Sequence, residues 1–370
     1  MIPFLKPNIV KKELFLKYLE QIEESRIYSN YGPLNTLFEN RIISEFFNGV
    51  GSALTVANAT VGLMIAISSL KRKGAKYAVM PSFTFAATPL AAMWCGLEPY
   101  FIDIKEDNWS ADESRINDTI KKLGDKVAIV IPYATFGNNI NLSYYTKLHE
   151  SGVPVVVDAA ASFGSSVDGV HFGAGFPGCV IYSFHATKSF GIGEGGLVYS
   201  GNDSLTSRIR IAGNFGFIET RESIVQGLNS KMCEMLAAVG LATLDVYLQK
   251  IGIRENLYNY YVDIIHKNDM LNNGWRVQKL EGRVVHQFMP ILCPEGKSNN
   301  EYVNKLGRKN IQARTYFNPT CHKHTVFENF SHDALEVTER VAERVISLPL
   351  WEEMHNEEIS EVVHELINKT

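Results

Sequence analysis

Over its first two-thirds the chain alternates short apolar runs with longer stretches of helical periodicity. The runs at 77–80, 99–104, 126–131, 153–157, 180–184 and 196–199 carry few polar interruptions. Uninterrupted runs of that length predict strands buried on both faces, because a strand with one wet face would alternate. Between them, 38–47 is amphipathic, and 61–70 is apolar with small residues, a helix able to pack closely. The alternation predicts an α/β fold, a mixed, mostly parallel sheet between layers of helices. Ser82, Asp158 and Ser183 fall at strand ends, on the rim where such sheets place ligands.

From about position 230 the pattern changes. A long helix is expected over 231–250 and a second over 254–267. The segments 290–294 and 307–319 suggest a smaller α+β unit, and 347–350 precedes a last helix over 356–369. The division expected is a large domain over 1–245 and a small C-terminal domain over 246–370.

Composition narrows the classes. The chain has 370 residues, 45% apolar and 21% charged, as in ordinary globular proteins. A net charge of -4 argues against a nucleic-acid or membrane-surface partner. No uninterrupted apolar stretch approaches the ~20 residues of a membrane span. The five cysteines, Cys95, Cys179, Cys233, Cys293 and Cys321, form no C-x-x-C and read as reduced thiols of a cytoplasmic protein. Pro3 and Pro7 interrupt an N-terminus too short in apolar residues for a signal peptide.

The candidate chemistry centres on Lys188, in Ser183-Phe184-His185-Ala186-Thr187-Lys188. A lysine amine can hold a carbonyl cofactor as a Schiff base. Asp158 closes the strand 153–157, where a carboxylate needs a cationic partner such as a protonated pyridine nitrogen. Asn58-Ala59-Thr60 opens the apolar helix, so its free N–H groups and the Thr60 hydroxyl make an anion site. Ser183 offers a second hydroxyl, and Phe85 could stack on a ring. Singly, each has a plain reading: a turn aspartate, a solvated lysine, a core phenylalanine. Together they are what pyridoxal phosphate requires, an amine, an acid and phosphate donors.

Two other motifs are set aside. Gly191 to Gly196 matches G-x-G-x-x-G but runs into a strand pattern, whereas a dinucleotide loop would open a helix. Its glycines are expected to turn the chain tightly beside Lys188. Cys321-His322-Lys323-His324 lacks a second ligand pair at zinc spacing, so no metal is expected. His185 is read as a structural hydrogen-bonding residue.

These residues resemble the sugar-nucleotide aminotransferases of the DegT/DnrJ/StrS group, nearly end to end. The specific pieces are Ser183-Phe184-His185 with Lys188 and Gly193-Glu194-Gly195-Gly196, then Asp158-Ala159-Ala160 and Pro81-Ser82-Phe83-Thr84-Phe85 with Ala87-Thr88. The resemblance implies the pyridoxal-phosphate transferase fold of type I. It implies that Lys188 bonds the cofactor and shuttles the proton, and that Asp158 pairs with the ring nitrogen. Ala59, Thr60 and Ser183 would hold the phosphate, and Phe85 would stack on the ring. Gly227-Leu228-Asn229 is similar to a segment whose asparagine reaches the neighbouring subunit's cofactor, which implies a homodimer with shared sites. The implied substrates are L-glutamate and a nucleotide-linked keto sugar, dTDP-4-keto-6-deoxyglucose first, feeding a surface polysaccharide such as O-antigen. Arg314, Tyr316 and Phe317 are the candidates for the sugar-nucleotide side.

The chain departs from the family pattern at Ala161, where glutamine is usual, at Lys231 for arginine, and at Asn214-Phe215-Gly216 for Asn-His-Gly. Ala161-Ser162-Phe163 is similar to the branch making 4-amino-6-deoxy sugars. A 3-keto sugar, or a GDP- or UDP-linked one, is the alternative substrate. A dehydratase is disfavoured because that branch replaces the lysine with histidine. Ala161 keeps open a cofactor-binding regulatory protein without turnover.

Overall fold

The computed structural model describes residues 1–368. The strands are β1 (Ser52–Val56), β2 (Tyr77–Pro81), β3 (Glu98–Ile102), β4 (Val127–Val130), β5 (Val156–Asp158), a hairpin of β6 (Ser166–Val167) with β7 (Val170–His171), then β8 (Cys179–Ser183) and β9 (Gly196–Ser200). All but the hairpin join one sheet in the order β1-β9-β8-β5-β4-β2-β3, with parallel bridges at Val130–Val155 and Tyr133–Asp158 linking β4 to β5. Only β9 runs against its neighbours. The chain between β8 and β9 is too short to carry a crossover helix, so the return is antiparallel.

Adjacent residues of each strand serve different cores. Val180 and Tyr182 point into one apolar cluster and Cys179 and Ile181 into another; Val157 and Val156 divide the same way. The sheet is therefore covered on both faces, which is why its strands read as continuous apolar runs. The helices flanking it are α1 (Lys12–Ser25), α2 (Pro33–Phe46), α3 (Ala59–Leu70), α4 (Ala87–Trp94), α5 (Glu113–Leu123), α6 (Leu142–Glu150) and α7 (Asp203–Ala212).

The two helices expected over 231–267 are one, α8 (Glu234–Lys267). Gly252 lies inside it, and an interior glycine costs only about 1 kcal/mol against alanine, too little to break a well-packed helix. The first half of α8 packs Ala237, Leu241 and Tyr247 into the core of the large sheet. The second half packs Leu257, Tyr261 and Ile265 into a separate core. By length and composition α8 could cross a membrane, but half of its apolar window is buried in the protein, as in a core helix.

That separate core lies against an antiparallel sheet of β10 (Arg276–Val277), β11 (Met289–Leu292) and β12 (Val345–Leu348). The accompanying helices are α9 (Asn299–Arg308), α10 (Glu336–Arg344) and α11 (Asn356–Ile367). Lys369, the expected end of the last helix, lies outside the described residues. The segment 307–319 forms no regular element beyond α9; Ile311 bridges Ile2 and Arg314 bridges Ser347.

Candidate active site

Strand register assembles the site. Val56, Gly196 and Ser183 lie in one row across β1, β9 and β8. Asp158, at the end of β5, pairs with Ile181 two residues before Ser183. One rim of the sheet thus gathers Asp158, Ser183 and the turn from β1 into α3.

Asn58 caps α3, its side chain accepting from Val61 N–H at 2.9 Å. The amides of Ala59 and Thr60 find no acceptor among the described residues, as the first turn of a helix requires. A Cβ on Gly196 would lie 2.8 Å from the Ala59 nitrogen. Glycine there lets the strand approach the helix start and leaves a cradle that a side chain would fill.

Asp158 is 3% exposed. Thr88 donates to its Oδ2 at 2.6 Å and the Ala160 amide to its Oδ1 at 3.1 Å. Burial pushes its pKa up, against those two donors and the charge of Lys188. Thr84 supports Thr88 across 3.0 Å. Lys188 lies in a loop folded on itself, with Phe184 N–H on Gly195 O and Ala186 N–H on Gly193 O. A Cβ on Gly191 would meet Ala186 O at 2.6 Å, so this tight return also needs glycine. Lys188 is partly exposed as a residue, yet desolvation of its amine lowers its pKa to about 8, only partly offset by Asp158.

Phe85 is 59% exposed, not packed in the core. Its ring lies 6.3 Å from Phe317, which also meets Phe83, Tyr133 and Phe136 at 5.6, 5.9 and 5.5 Å. Tyr133 bridges Asp158, so this aromatic wall stands beside the acid. Tyr316 extends it, 5.7 Å from Phe288. Arg314 is exposed, its guanidinium 5.7 Å from the Phe4 ring. Asn229 is exposed on a flap, bridged to Asn214, with Lys231 donating to Asn214 Oδ1 at 2.7 Å. Ala161 is buried.

Three contacts carry no signal in the linear pattern. Gln287, from the loop before β11, accepts from Lys188 Nζ at 3.2 Å. Thr88 and Tyr133 approach Asp158 only through the sheet order. The Cys321–His324 segment is a clasp: His322 Nδ1 lies 2.7 Å from Ser82 Oγ, its Nε2 3.1 Å from Glu339, and Cys321 Sγ donates to Thr84 O. It fixes the turn that carries Thr84, Phe85 and Thr88. His185 bonds Thr187 locally at 2.8 Å. A groove of about 980 Å³ between Arg26 and Asn40 shares no residue with this site; the paired acid and amine locate the site, not cavity size.

The profile of the DegT/DnrJ/EryC1/StrS aminotransferase family matches residues 10–367. The chain belongs to that family. Its relatives and solved neighbours include pyridoxal-phosphate-dependent sugar aminotransferases, and this chain is an enzyme of that class and fold. It is 50% identical to a crystal structure of a candidate PLP-dependent aminotransferase from Bacillus cereus, with 99% of each chain covered and a TM-score of 0.98. It is 29% identical to DesI, solved in the presence of its TDP-sugar product, over 99% of this chain and 93% of that one, with a TM-score of 0.88. Among curated relatives, the dTDP-4-amino-4,6-dideoxy-D-glucose transaminase of Escherichia coli is 27% identical over 100% of this chain and 98% of its own.

The residues on the rim fit the cofactor. A buried carboxylate needs a cation, a helix start has free amides in a glycine cradle, a desolvated amine stands nearby, and an exposed phenylalanine flanks them.

Proposed function

We propose that the enzyme transfers the amino group of L-glutamate to the carbonyl of a nucleotide-linked keto-deoxysugar, with dTDP-4-keto-6-deoxyglucose as first choice. The observation that carries the reading is that a buried Asp158 and the buried amine of Lys188, held by Gln287, stand near the free start of α3 at one sheet rim. The substrate rests on the E. coli transaminase and on DesI with its TDP-sugar product.

When bound, pyridoxal phosphate supplies an electron sink that acidifies the proton next to an amine and carries the nitrogen between half-reactions. In this reading Ala59 and Thr60 amides, the Thr60 hydroxyl and Ser183 hold the phosphate, the helix start favouring its charge. Asp158 holds the ring-nitrogen proton, and Thr88 and the Ala160 amide keep that carboxylate ionised. Phe85 covers the ring. Lys188 Nζ removes the proton from the donor's α carbon, then returns one to the sugar carbon that receives the nitrogen. A pKa near 8 leaves part of the amine neutral and basic at physiological pH. The wall of Tyr316 and Phe317 excludes water, and Arg314 offers its guanidinium to the diphosphate.

Two structural readings belong to the same proposal. The chain divides into a large domain over 1–245 and a small one over 246–370, a boundary within α8; in support, α8 packs on one core as far as Ile251 and on the other from Leu257. The enzyme is a homodimer in which Asn229 reaches the partner's site; in support, Asn229 is exposed on a flap whose Phe215, Ile224 and Val225 are exposed apolar residues.

The regiochemistry is tested by offering the 4-keto and the 3-keto dTDP sugars separately with glutamate. Amination of the 4-keto compound at least tenfold faster is expected; activity confined to the 3-keto compound refutes the choice.

A further inference from the structure

We infer that Gln287 is a positioning residue for Lys188: its side-chain carbonyl holds the lysine amine in place whenever that amine is free. The inference rests on Lys188 being the cofactor lysine and adds a part from the loop before β11.

The orientation of the amide is fixed. Gln287 Nε2 donates to Thr187 O at 3.1 Å while Oε1 accepts from Lys188 Nζ at 3.2 Å. A flipped amide would set its NH2 against the amine and its oxygen against a carbonyl, losing both bonds. The residue is 7% exposed and has no freedom to swing into solvent.

Its backbone is anchored as well. Arg254, 4% exposed, donates from Nη1 to the carbonyls of His286 and Gln287 at 2.8 and 3.3 Å. Arg254 is itself held by Glu352 at 3.0 Å, which Lys250 also approaches at 3.5 Å. Arg254 and Lys250 lie on α8, and Glu352 follows β12. A buried arginine held by a carboxylate is a stiff support for two carbonyls. The small-domain sheet thus presents one neutral polar group to an amine that rises from the large-domain loop. Phe288, the next residue, turns the other way, 5.0 Å from Phe136 and 5.7 Å from Phe4.

An acceptor at this distance favours the protonated amine over the neutral one. The charged group facing Lys188 is Asp158, which acts in the same direction as this neutral acceptor; burial opposes both. Leucine at 287 would keep the bulk and remove the acceptor. Glutamate would keep the shape and add a negative charge. The amine's pKa should therefore fall in Q287L and rise in Q287E.

The test uses the full-length protein freed of cofactor. The rate at which it captures added pyridoxal phosphate, trapped with borohydride, is measured against pH. Capture needs the neutral amine, so the rate climbs through the lysine's apparent pKa. Expected are a midpoint roughly one unit higher in Q287E and a lower one in Q287L, with far-ultraviolet dichroism unchanged. Q287M serves as a second apolar variant. Midpoints that coincide in wild type, Q287E and the folded apolar variant overturn the inference, because a purely structural glutamine would leave them in place. Lys188→Ala separates the two levels: trapping that persists in this variant overturns the lysine assignment itself.

Discussion

The residues that set the chemistry differ in how far they show in sequence. Lys188 and Asp158 stand out because a polar group at the end of an apolar strand, or beside a glycine-rich turn, breaks the local pattern. Their partners do not. Thr88 shows only within the Ala87-Thr88 piece of the family resemblance, and its 2.6 Å bond from α4 to Asp158 at the end of β5 has no mark in the linear pattern. Gln287 lies 99 positions from Lys188. Phe85 shows the converse: its aromatic character suggested core packing or stacking equally, and its exposure favours stacking. The Thr88 bond gives a prediction. A hydrogen bond to an ionised group contributes about 1.5–3 kcal/mol, and valine matches threonine in shape. Thr88→Val should let Asp158 protonate more readily and weaken cofactor binding about tenfold or more. An absorbance titration with pyridoxal phosphate checks this, and a dissociation constant within twofold of wild type would count against Asp158 as the ring-nitrogen partner.

Among elements, the buried strands other than β1 were legible and the long helix was not. The apolar runs at 77–80, 126–131 and 180–184 became β2, β4 and β8 within a residue or two, since two-sided burial leaves no room for polar residues. The helix α3 was legible for a related reason: Asn58 is a capping residue before an apolar run. The break expected near 252 did not occur, because packing on two successive cores outweighs one glycine. The helices α1, α4, α5, α6, α7, α9 and α10 went unread. Of these, α9 buries only Asn299 and Leu306, so a single-sequence pattern gives little contrast with a loop. The direction of β9 was also hidden, since an apolar run has no polarity; the helix-free loop holding Lys188 decides it.

At the scale of the molecule, the sheet brings the acid, the amine and the helix start to one rim, the loop before β11 supplies Gln287, and a further apolar cluster joins Phe83 and Phe136 to Phe288, Tyr316 and Phe317 as the aromatic wall. The sequence alone could place the rim but not the wall, whose members come from positions 83 to 317. The proposed dimer belongs at this scale. The flap around Asn229 exposes Phe215 and Ile224, and α8 exposes Met235 nearby in sequence, apolar surface that a second copy would cover. Sedimentation of the cofactor-loaded protein should give twice the chain mass at micromolar concentration; a monomer with full activity would remove Asn229 from the site.

The proposed reaction turns on Lys188 holding the cofactor and moving the proton while the nitrogen of glutamate passes to a sugar nucleotide. The most direct measurement is a two-step transfer. The loaded protein is treated with 15N-glutamate, freed of excess donor, and given dTDP-4-keto-6-deoxyglucose, and the sugar nucleotide is weighed by mass spectrometry. About one equivalent of 15N-labelled amino sugar per site is expected from the wild type and none from Lys188→Ala. An unlabelled sugar from a protein that had accepted the glutamate nitrogen, or equal labelling from the alanine variant, would contradict the proposed reaction.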